Sequence, residues 1–471
     1  RAEGAYAGMS NCCGQGGGTH NVEVVGGRYG ITINRNSRFP LLNACVFREQ
    51  TEACVTYTMP SQMPTLMVGC LLQPKGTTAI DLHHNAPHAG ISLVDCVVDL
   101  PGKGMVCATR GQANVFLEDT VVRGANGVRT GGPAVPAGNG WLTIDRYSCT
   151  RQDGVHLVNG RKQGEERVSW RRTGAAPSLD AIRRRHWQRL PSFEDEGVVS
   201  VTSFGARGDG KTDDSEAFRK AIAVADTIFV PRGKYRVSGE LTLRPDTQLF
   251  GLSSALCSIG DVTTPGRGWQ RGEGPNAFSL LTAAGPDAQP GVHFLSVRGR
   301  LDWRSGQGSS VLAPGVLTVS QDAGGRFYGI MARGGQFVLR GIRRPTAFYA
   351  LNVERKGTNP QSLIADCRHL RIYFFKVEAG TVNRPNAPDA NTPSRIEACE
   401  DVRVYCMYGV VRKLGERPML EVADSRDVLV AQLKTFSPQG FPHLVEEHAG
   451  RRFVMPSSTT CALFLRTGDE N

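Results

Sequence analysis

Residues 199–239 read VSVTSFGARGDGKTDDSEAFRKAIAVADTIFVPRGKYRVSG. A strand is expected over Val199–Phe204. Gly205, Gly208 and Gly210 then form a turn that leads into Asp213-Asp214-Ser215-Glu216. Asp213 can accept from the backbone N–H groups of a first helical turn, and Glu216 three residues later completes a capping box. Ala217, Phe218, Ala221, Ile222 and Ala225 fall on one face at helical spacing. A short, one-sided helix must lie on something apolar. Ile228-Phe229-Val230 and Tyr235-Arg236-Val237 flank Pro231-Arg232-Gly233 and read as a hairpin-like return.

Phe204, Gly205, Ala206, Gly208, Asp209, Gly210, Thr212, Asp213, Asp214, Pro231, Gly233 and Tyr235 carry a resemblance. The pattern FGA-x-GDG-x-TDD, a helix, then P-x-G-x-Y resembles the start of a right-handed parallel β-helix in the pectate-lyase-like superfamily. There it closes the open end of the solenoid. The resemblance implies that a β-helix starts here, in mid-chain. The acids Asp209, Asp213, Asp214 and Glu216 are read as turn and cap residues rather than catalysts.

Upstream, a strand recurs: Leu41-Leu42-Asn43-Ala44-Cys45-Val46, Met67-Val68-Gly69-Cys70-Leu71, Leu93-Val94-Asp95-Cys96-Val97 and Leu117-Glu118-Asp119-Thr120-Val121. Ile144-Asp145-Arg146-Tyr147 reads as a degenerate fifth copy. The steps between Cys45, Cys70, Cys96, Thr120 and Tyr147 are 25, 26, 24 and 27 residues. A second column follows each strand, at Cys54, Ala79, Met105, Gly127 and Gly154. One coil of a parallel β-helix places like residues above like, about 4.8 Å apart. Cys45, Cys70 and Cys96 therefore read as stacked, inward-facing thiols that act as small hydrophobes. The total of 13 cysteines is odd, which leaves at least one outside any intrachain disulfide. The adjacent Cys12-Cys13 suit neither a metal nor a mutual disulfide.

Downstream, the same pattern returns at Ala365-Asp366-Cys367, Ala398-Cys399 and Asp424-Ser425. An insertion at 381–391, rich in Pro and Asn, reads as a loop. Between the two regions, residues 160–198 break the period, with a short helix expected over Ser178–Leu190. The expected fold is all-β: two tandem right-handed parallel β-helices with short capping helices. Residues 1–160 form the first, 161–198 a basic linker, and 199–471 the second. The start at Arg1 lacks both an initiator Met and a cap of the GDG type. That reads as a processed or truncated start, or as an end covered by another chain in an oligomer, because an open solenoid end is an unpaired edge.

The net charge of +11 is uneven: 161–189 holds nine Lys or Arg against three acids. The linker reads as a solvated or packing segment, with an acidic polymer as the alternative partner. No zinc-finger, helix-turn-helix or RNA-recognition signature points to nucleic acid. No run approaches the roughly 18 apolar residues of a membrane span. GQGGGTH around Gln15 lacks the Lys-Ser/Thr ending of a phosphate loop. His83, His84, His88 and His156 read as turn or surface residues, and no metal or cofactor is expected.

Chemistry is sought where stacked coils align acids. Asn352-Val353-Glu354 and Lys376-Val377-Glu378 stand one coil apart, so Glu354 and Glu378 should share a face in adjacent coils. Two carboxylates that close do not ionise easily together, and one would hold a proton near neutral pH. Glycosidic cleavage needs such an acid. Tyr373 and Tyr408 are candidate stacking faces for sugar rings.

Two tandem β-helices with the GDG cap opening the second are similar to glycoside hydrolase family 55, the exo-β-1,3-glucanases. That resemblance implies an inverting, secreted hydrolase of a polysaccharide. Glu378 would be its general acid, with Glu354 as the neighbour, and Gln50 on the first solenoid would position water. Glu378 is followed by Ala379, where the family usually has histidine. The alternatives are a polysaccharide lyase acting on a uronate polymer through Lys376, Arg368, His369 and Arg371, and a non-catalytic adhesin or assembly module.

Overall fold

The computed structural model describes residues 4–10, 17–33, 41–58, 64–82, 90–109, 113–136, 140–150, 154–164, 166–173, 175–262, 278–312, 316–333, 336–354, 359–379, 392–411, 417–435, 441–455 and 460–468. The protein is all-β, built from ladders of short parallel strands. Cys12-Cys13, His83, His84, His88 and the 381–391 insertion lie outside the described residues.

In the first solenoid, Leu41–Asn43, Thr65–Val68, Gly90–Val94 and the start of Asn114–Arg129 stack in parallel. Leu42, Met67, Leu93 and Leu117 fall in one buried column. Each strand turns on a residue in the left-handed region: Ala44, Gly69, Asp95 and Asp119, with φ of 55°, 60°, 51° and 49°. The residue after each is small, buried and a hydrogen-bond donor. Cys70 Sγ donates to the carbonyls of Leu42 (3.3 Å) and Val68 (3.4 Å). Cys96 Sγ donates to those of Met67 (3.5 Å) and Val94 (3.4 Å). Thr120 Oγ1 donates to those of Leu93 (3.3 Å) and Glu118 (3.2 Å).

The second solenoid repeats the device. Asp366, Ala398 and Asp424 have φ of 52°, 52° and 43° and precede Cys367, Cys399 and Ser425. Cys367 Sγ reaches the carbonyls of Leu339 and Ala365, and Cys399 Sγ those of Ile364 and Glu397. A coil that bends sharply leaves backbone groups to be satisfied, and these side chains satisfy them from inside. The expected stacked thiols are thus found: all eleven described cysteines are buried and free of disulfides.

Four local expectations change. Trp141–Cys149, which contains Tyr147, runs antiparallel to Asn114–Arg129 and to Glu166–Thr173. It closes the first solenoid instead of adding a fifth coil. Gly154–Val158 pairs in parallel with Thr460–Arg466, a strand of the second solenoid's sheet. Only Val199–Ser200 is a strand; Val201–Phe204 is a 3₁₀ turn. The hairpin-like return is a coil corner, because Thr227–Val230 and Gly233–Arg236 each pair in parallel with different neighbours.

The cap helix, Ser215–Val224, buries Ala217, Phe218, Ala221 and Ile222 over the end of the second solenoid, with Phe218 edge-on to Tyr235. Asp213 accepts from the Ser215 N–H (3.0 Å) and hydroxyl (2.6 Å) at the helix start, as expected. The Glu216 half of the capping box does not form: Glu216 faces Arg219 in solvent, and Asp214 accepts from the Arg207 and Gly208 N–H groups. Asp209 accepts from the N–H groups of Lys211 and Thr212 and from the Thr212 hydroxyl. Those bonds pull its carboxyl down to about 2. The acids of the cap are occupied in holding turns.

The two solenoids lie side by side. Leu41–Asn43 meets Thr346–Glu354, Thr65–Val68 meets Arg368–Ala379, and Asn114–Arg129 meets Arg426–Thr435. Successive coils therefore meet in the same order. An interface cluster of Leu41, Leu66, Val68, Val94 and Phe116 against Tyr328, Tyr349, Tyr373, Phe374 and Tyr405 seals the seam.

The corner device makes a testable exchange. Ser425 is buried; it donates to Ala423 O (2.8 Å) and accepts from the Cys399 N–H (3.0 Å). Ser425→Ala should cost about 1–3 kcal/mol for the stranded amide. Ser425→Cys, the residue of the neighbouring coil, should recover most of the melting temperature in a thermal unfolding scan.

Candidate functional site

The seam is shaped by a second ladder of left-handed residues, in mid-strand at Ala350, Phe374, Cys406 and Gln432 (φ 63°, 69°, 56° and 57°). This bend gives each long strand two outward faces. Before it, Tyr328, Tyr349, Tyr373 and Tyr405 stack, with successive ring centroids 4.6, 4.8 and 5.3 Å apart. After it, Asn352, Lys376 and Tyr408 form one column, and Glu354, Glu378 and Val410 the next.

Glu354 and Glu378 are direct register partners. Lys376 lies between them: it is fully buried, and its ammonium contacts Glu354 Oε1 (3.2 Å) and Glu378 Oε1. Asn352 Nδ2 donates to Glu354 Oε1 at 2.8 Å. The two carboxylates are therefore a triad with one cation, not a bare pair. Carboxylates that share one nitrogen stand closer than the roughly 6.5–9.5 Å separation of an inverting acid–base pair. The spacing of the two carboxylates is therefore not that of an inverting acid–base pair with a water between them.

Of the other expected site residues, Tyr408 alone comes beside the triad. Tyr408 is buried in the seam beside Lys376. Tyr373 is on the other side of the bend. Gln50 is fully buried within the first solenoid, where its amide nitrogen donates to the carbonyls of Val24 (3.1 Å), Gly26 (3.1 Å) and Arg48 (2.8 Å). That amide clasps a coil of the solenoid and is not brought to the glutamates. Arg368 pairs with Glu400, and His369 and Arg371 with Asp401, so these bases tie one coil to the next.

On the tyrosine side of the bend lies a groove of about 1520 Å³, walled by both solenoids and by the linker helix Leu179–His186. Ser178 caps that helix by accepting from Ala181 N, Asp180 sits in its first turn, and Arg183, Arg184, Arg185 and His186 occupy its last. Both charge placements suit the helix dipole. His186 is the fastening point. Its Nε2 pairs with Asp95 Oδ2 (2.8 Å) on the first solenoid and its Nδ1 with the Tyr349 hydroxyl (2.9 Å) on the second. Its carbonyl accepts from Asn43 Nδ2 (3.0 Å) and from the Tyr328 hydroxyl (2.8 Å). Gly69 must be glycine here, because a Cβ would meet the His186 ring at 2.6 Å.

Asp95, Glu118 and Asp119 face the groove from the first solenoid, and Arg371, Arg403, His369 and Asp401 from the second. Burial opposes ionisation of Asp95, but hydrogen bonds from His186 and Arg185 prevail and hold its carboxyl below the ordinary range. Asp119 goes the other way: desolvation, then the charges of Glu118 and Asp95, raise it. These acids were visible in the repeated strands but were read only as strand residues. The usable signal is an Asp that precedes a small buried residue at a corner. Among the described residues, no group of three or more His, Cys, Asp or Glu converges as metal ligands.

Residues 198–263 match the family described as rhamnogalacturonase A/epimerase, pectate lyase-like. The segment that opens the second solenoid is pectate-lyase-like. A pre-neck appendage protein of Bacillus phage B103 is 49% identical over 53 residues, 11% of this chain and 6% of that protein. Polygalacturonase ADPG1 of Arabidopsis thaliana is 50% identical over 76 residues, 14% of this chain and 18% of that protein. The chain thus spans less than a tenth of the phage appendage proteins it matches. Among solved structures, sacteLam55A from Streptomyces sp. SirexAA-E aligns over 98% of this chain and 92% of its own, at 10% identity and a TM-score of 0.35. No helix among the described residues is long and apolar enough to cross a membrane.

Asp119→Asn tests the electrostatics of the groove. The carboxyl is raised in the fold, so its charge opposes folding above the ordinary Asp value and ceases to do so as pH falls below it. Asn also tolerates the left-handed backbone. The variant should melt slightly higher than wild type at pH 7, by less than about 1 kcal/mol because the side chain reaches solvent. That gain should shrink as the pH falls toward about 4.

Proposed function

We propose that the chain is a carbohydrate-active enzyme, a secreted glycoside hydrolase that works on a polysaccharide of the β-1,3-glucan type. Two solenoids, 1–160 and 199–471, joined by the linker 161–198, would present the substrate along their seam. One observation carries the reading: Glu354 and Glu378 stand in register at the seam, tied to one buried ammonium. The pectate-lyase-like cap and the partial match to a polygalacturonase support a saccharide as the substrate class.

In this reading Glu378 gives its proton to the glycosidic oxygen as the bond to the anomeric carbon breaks. Lys376 and Glu354 fix the position of that carboxyl; the Lys376 side chain is itself completely buried. Water attacks the anomeric carbon from the opposite face of the sugar and gives up a proton to a general base there. In this reading that base belongs to the first solenoid and is neither Glu354 nor Gln50.

Release of reducing ends from laminarin, measured beside a panel of neutral and uronic glycans, tests the proposal. Glu378→Gln should lower turnover at least a thousand-fold with an unchanged circular dichroism spectrum. Lys376→Met should lower both activity and melting temperature, since breaking a buried ion pair costs about 3–5 kcal/mol. Full activity in Glu378→Gln, or an unsaturated product that absorbs in the ultraviolet, would overturn the assignment.

A further inference from the structure

We propose that the groove on the tyrosine side of the seam is a second saccharide site, selective for chains that carry carboxylate groups. Neither Glu354 nor Glu378 lines it, so it goes beyond the hydrolytic site and does not rest on it. Its volume of about 1520 Å³ exceeds the roughly 300–1,000 Å³ that suits one small molecule. An oligomeric ligand fits that size.

The charge in the groove is divided. Arg185, Arg371 and Arg403 are engaged by Asp95, Asp401 and Asp427. Arg184, Arg326 and Arg344 differ: among the described residues, none has a carboxylate partner. Arg326 Nη1 donates to the carbonyl of Arg184 (2.9 Å), and Arg344 Nε to that of Asp322 (3.0 Å). Each of these two guanidinium groups is anchored by one N–H on backbone, Arg326 also meets the Tyr328 hydroxyl, and the donors that remain can reach a ligand. A guanidinium fork matches a carboxylate in a bidentate way. Gln289 and Gln307 line the same wall and can donate to or accept from hydroxyls.

The opposite wall wants the reverse partner. Glu118 is buried; its Oε1 accepts from Arg146 (3.1 Å), and its Oε2 has no hydrogen-bond partner. Its neighbour Asp119 also lines the groove. Acceptors of that kind call for hydroxyl donors. A uniformly charged phosphate polymer would set anionic groups against Glu118 and Asp119, whereas a saccharide bears hydroxyls between widely spaced carboxylates. The ligand class that satisfies both walls is a uronate-type oligosaccharide, held by Arg184, Arg326 and Arg344 and donating hydroxyls to Glu118.

Isothermal titration of the full chain with a hexameric oligogalacturonate tests this, with a neutral β-1,3-gluco-oligosaccharide and a single-stranded oligonucleotide of similar length as the other arms. The oligouronate should bind at least ten-fold tighter than either, and its affinity should fall with added salt. Arg326→Ala/Arg344→Ala should weaken it at least ten-fold. Arg184→Ala, at an exposed helix position that cannot unfold a core, should weaken it several-fold at an unchanged melting temperature. Glu378→Gln should bind the oligouronate as wild type does, which separates this site from the hydrolytic one. Equal binding of the neutral sugar or the oligonucleotide would overturn the proposal. So would an oligouronate affinity unmoved by the arginine variants, or one lost in Glu378→Gln.

Discussion

The protein depends on a corner: a left-handed residue followed by a small buried donor. Without the first, successive strands cannot change direction within one coil. Without the second, the turned carbonyls lie in an apolar interior with too few partners, a loss of about 1–3 kcal/mol at each. The same pair recurs as Gly69-Cys70, Asp95-Cys96, Asp119-Thr120, Asp366-Cys367 and Asp424-Ser425. Cys, Thr and Ser interchange because each is small and carries a donor, which is why a cysteine-rich interior contains no disulfide among the described residues.

The corner also explains where the charged groups point. A left-handed backbone is sterically hard for most side chains and easiest for Gly, Asn and Asp. Corners therefore collect aspartates, and a corner side chain faces away from the core. Asp95 and Asp119 reach the groove in this way, and Asp401, also left-handed, answers from the other wall. His186 then joins the solenoids through Asp95 and Tyr349. Stacking geometry, seam and groove are consequences of one backbone requirement repeated along the chain.

Much of this was legible in the sequence. The steps of 25, 26 and 24 residues aligned Cys45, Cys70, Cys96 and Thr120 correctly, and one coil separated Glu354 from Glu378 as read. The antiparallel turn of Trp141–Cys149 was not legible, because Ile144 and Tyr147 are buried in either direction. The bend at Phe374 was hidden too. It resets the alternation, so that Ile372 and Phe375 face the core while Tyr373, Lys376 and Glu378 face out. Burial of Lys376 between carboxylates arises where adjacent coils stack, and the alternation along a single strand does not report it. Gln50 misled for a related reason: a polar residue turned inward to satisfy carbonyls looks, by type, like one turned outward.

The central claim is that the glutamate edge of the seam is where a glycan is cut. A crystal structure of the Glu378→Gln variant soaked with a laminari-oligosaccharide tests it most directly. The account predicts a sugar bound across the seam, with a glycosidic oxygen in hydrogen-bond reach of the substituted amide side chain and with Lys376 still contacting Glu354. A sugar ordered only at a place remote from residues 354–378, or none at saturating concentration, would contradict it.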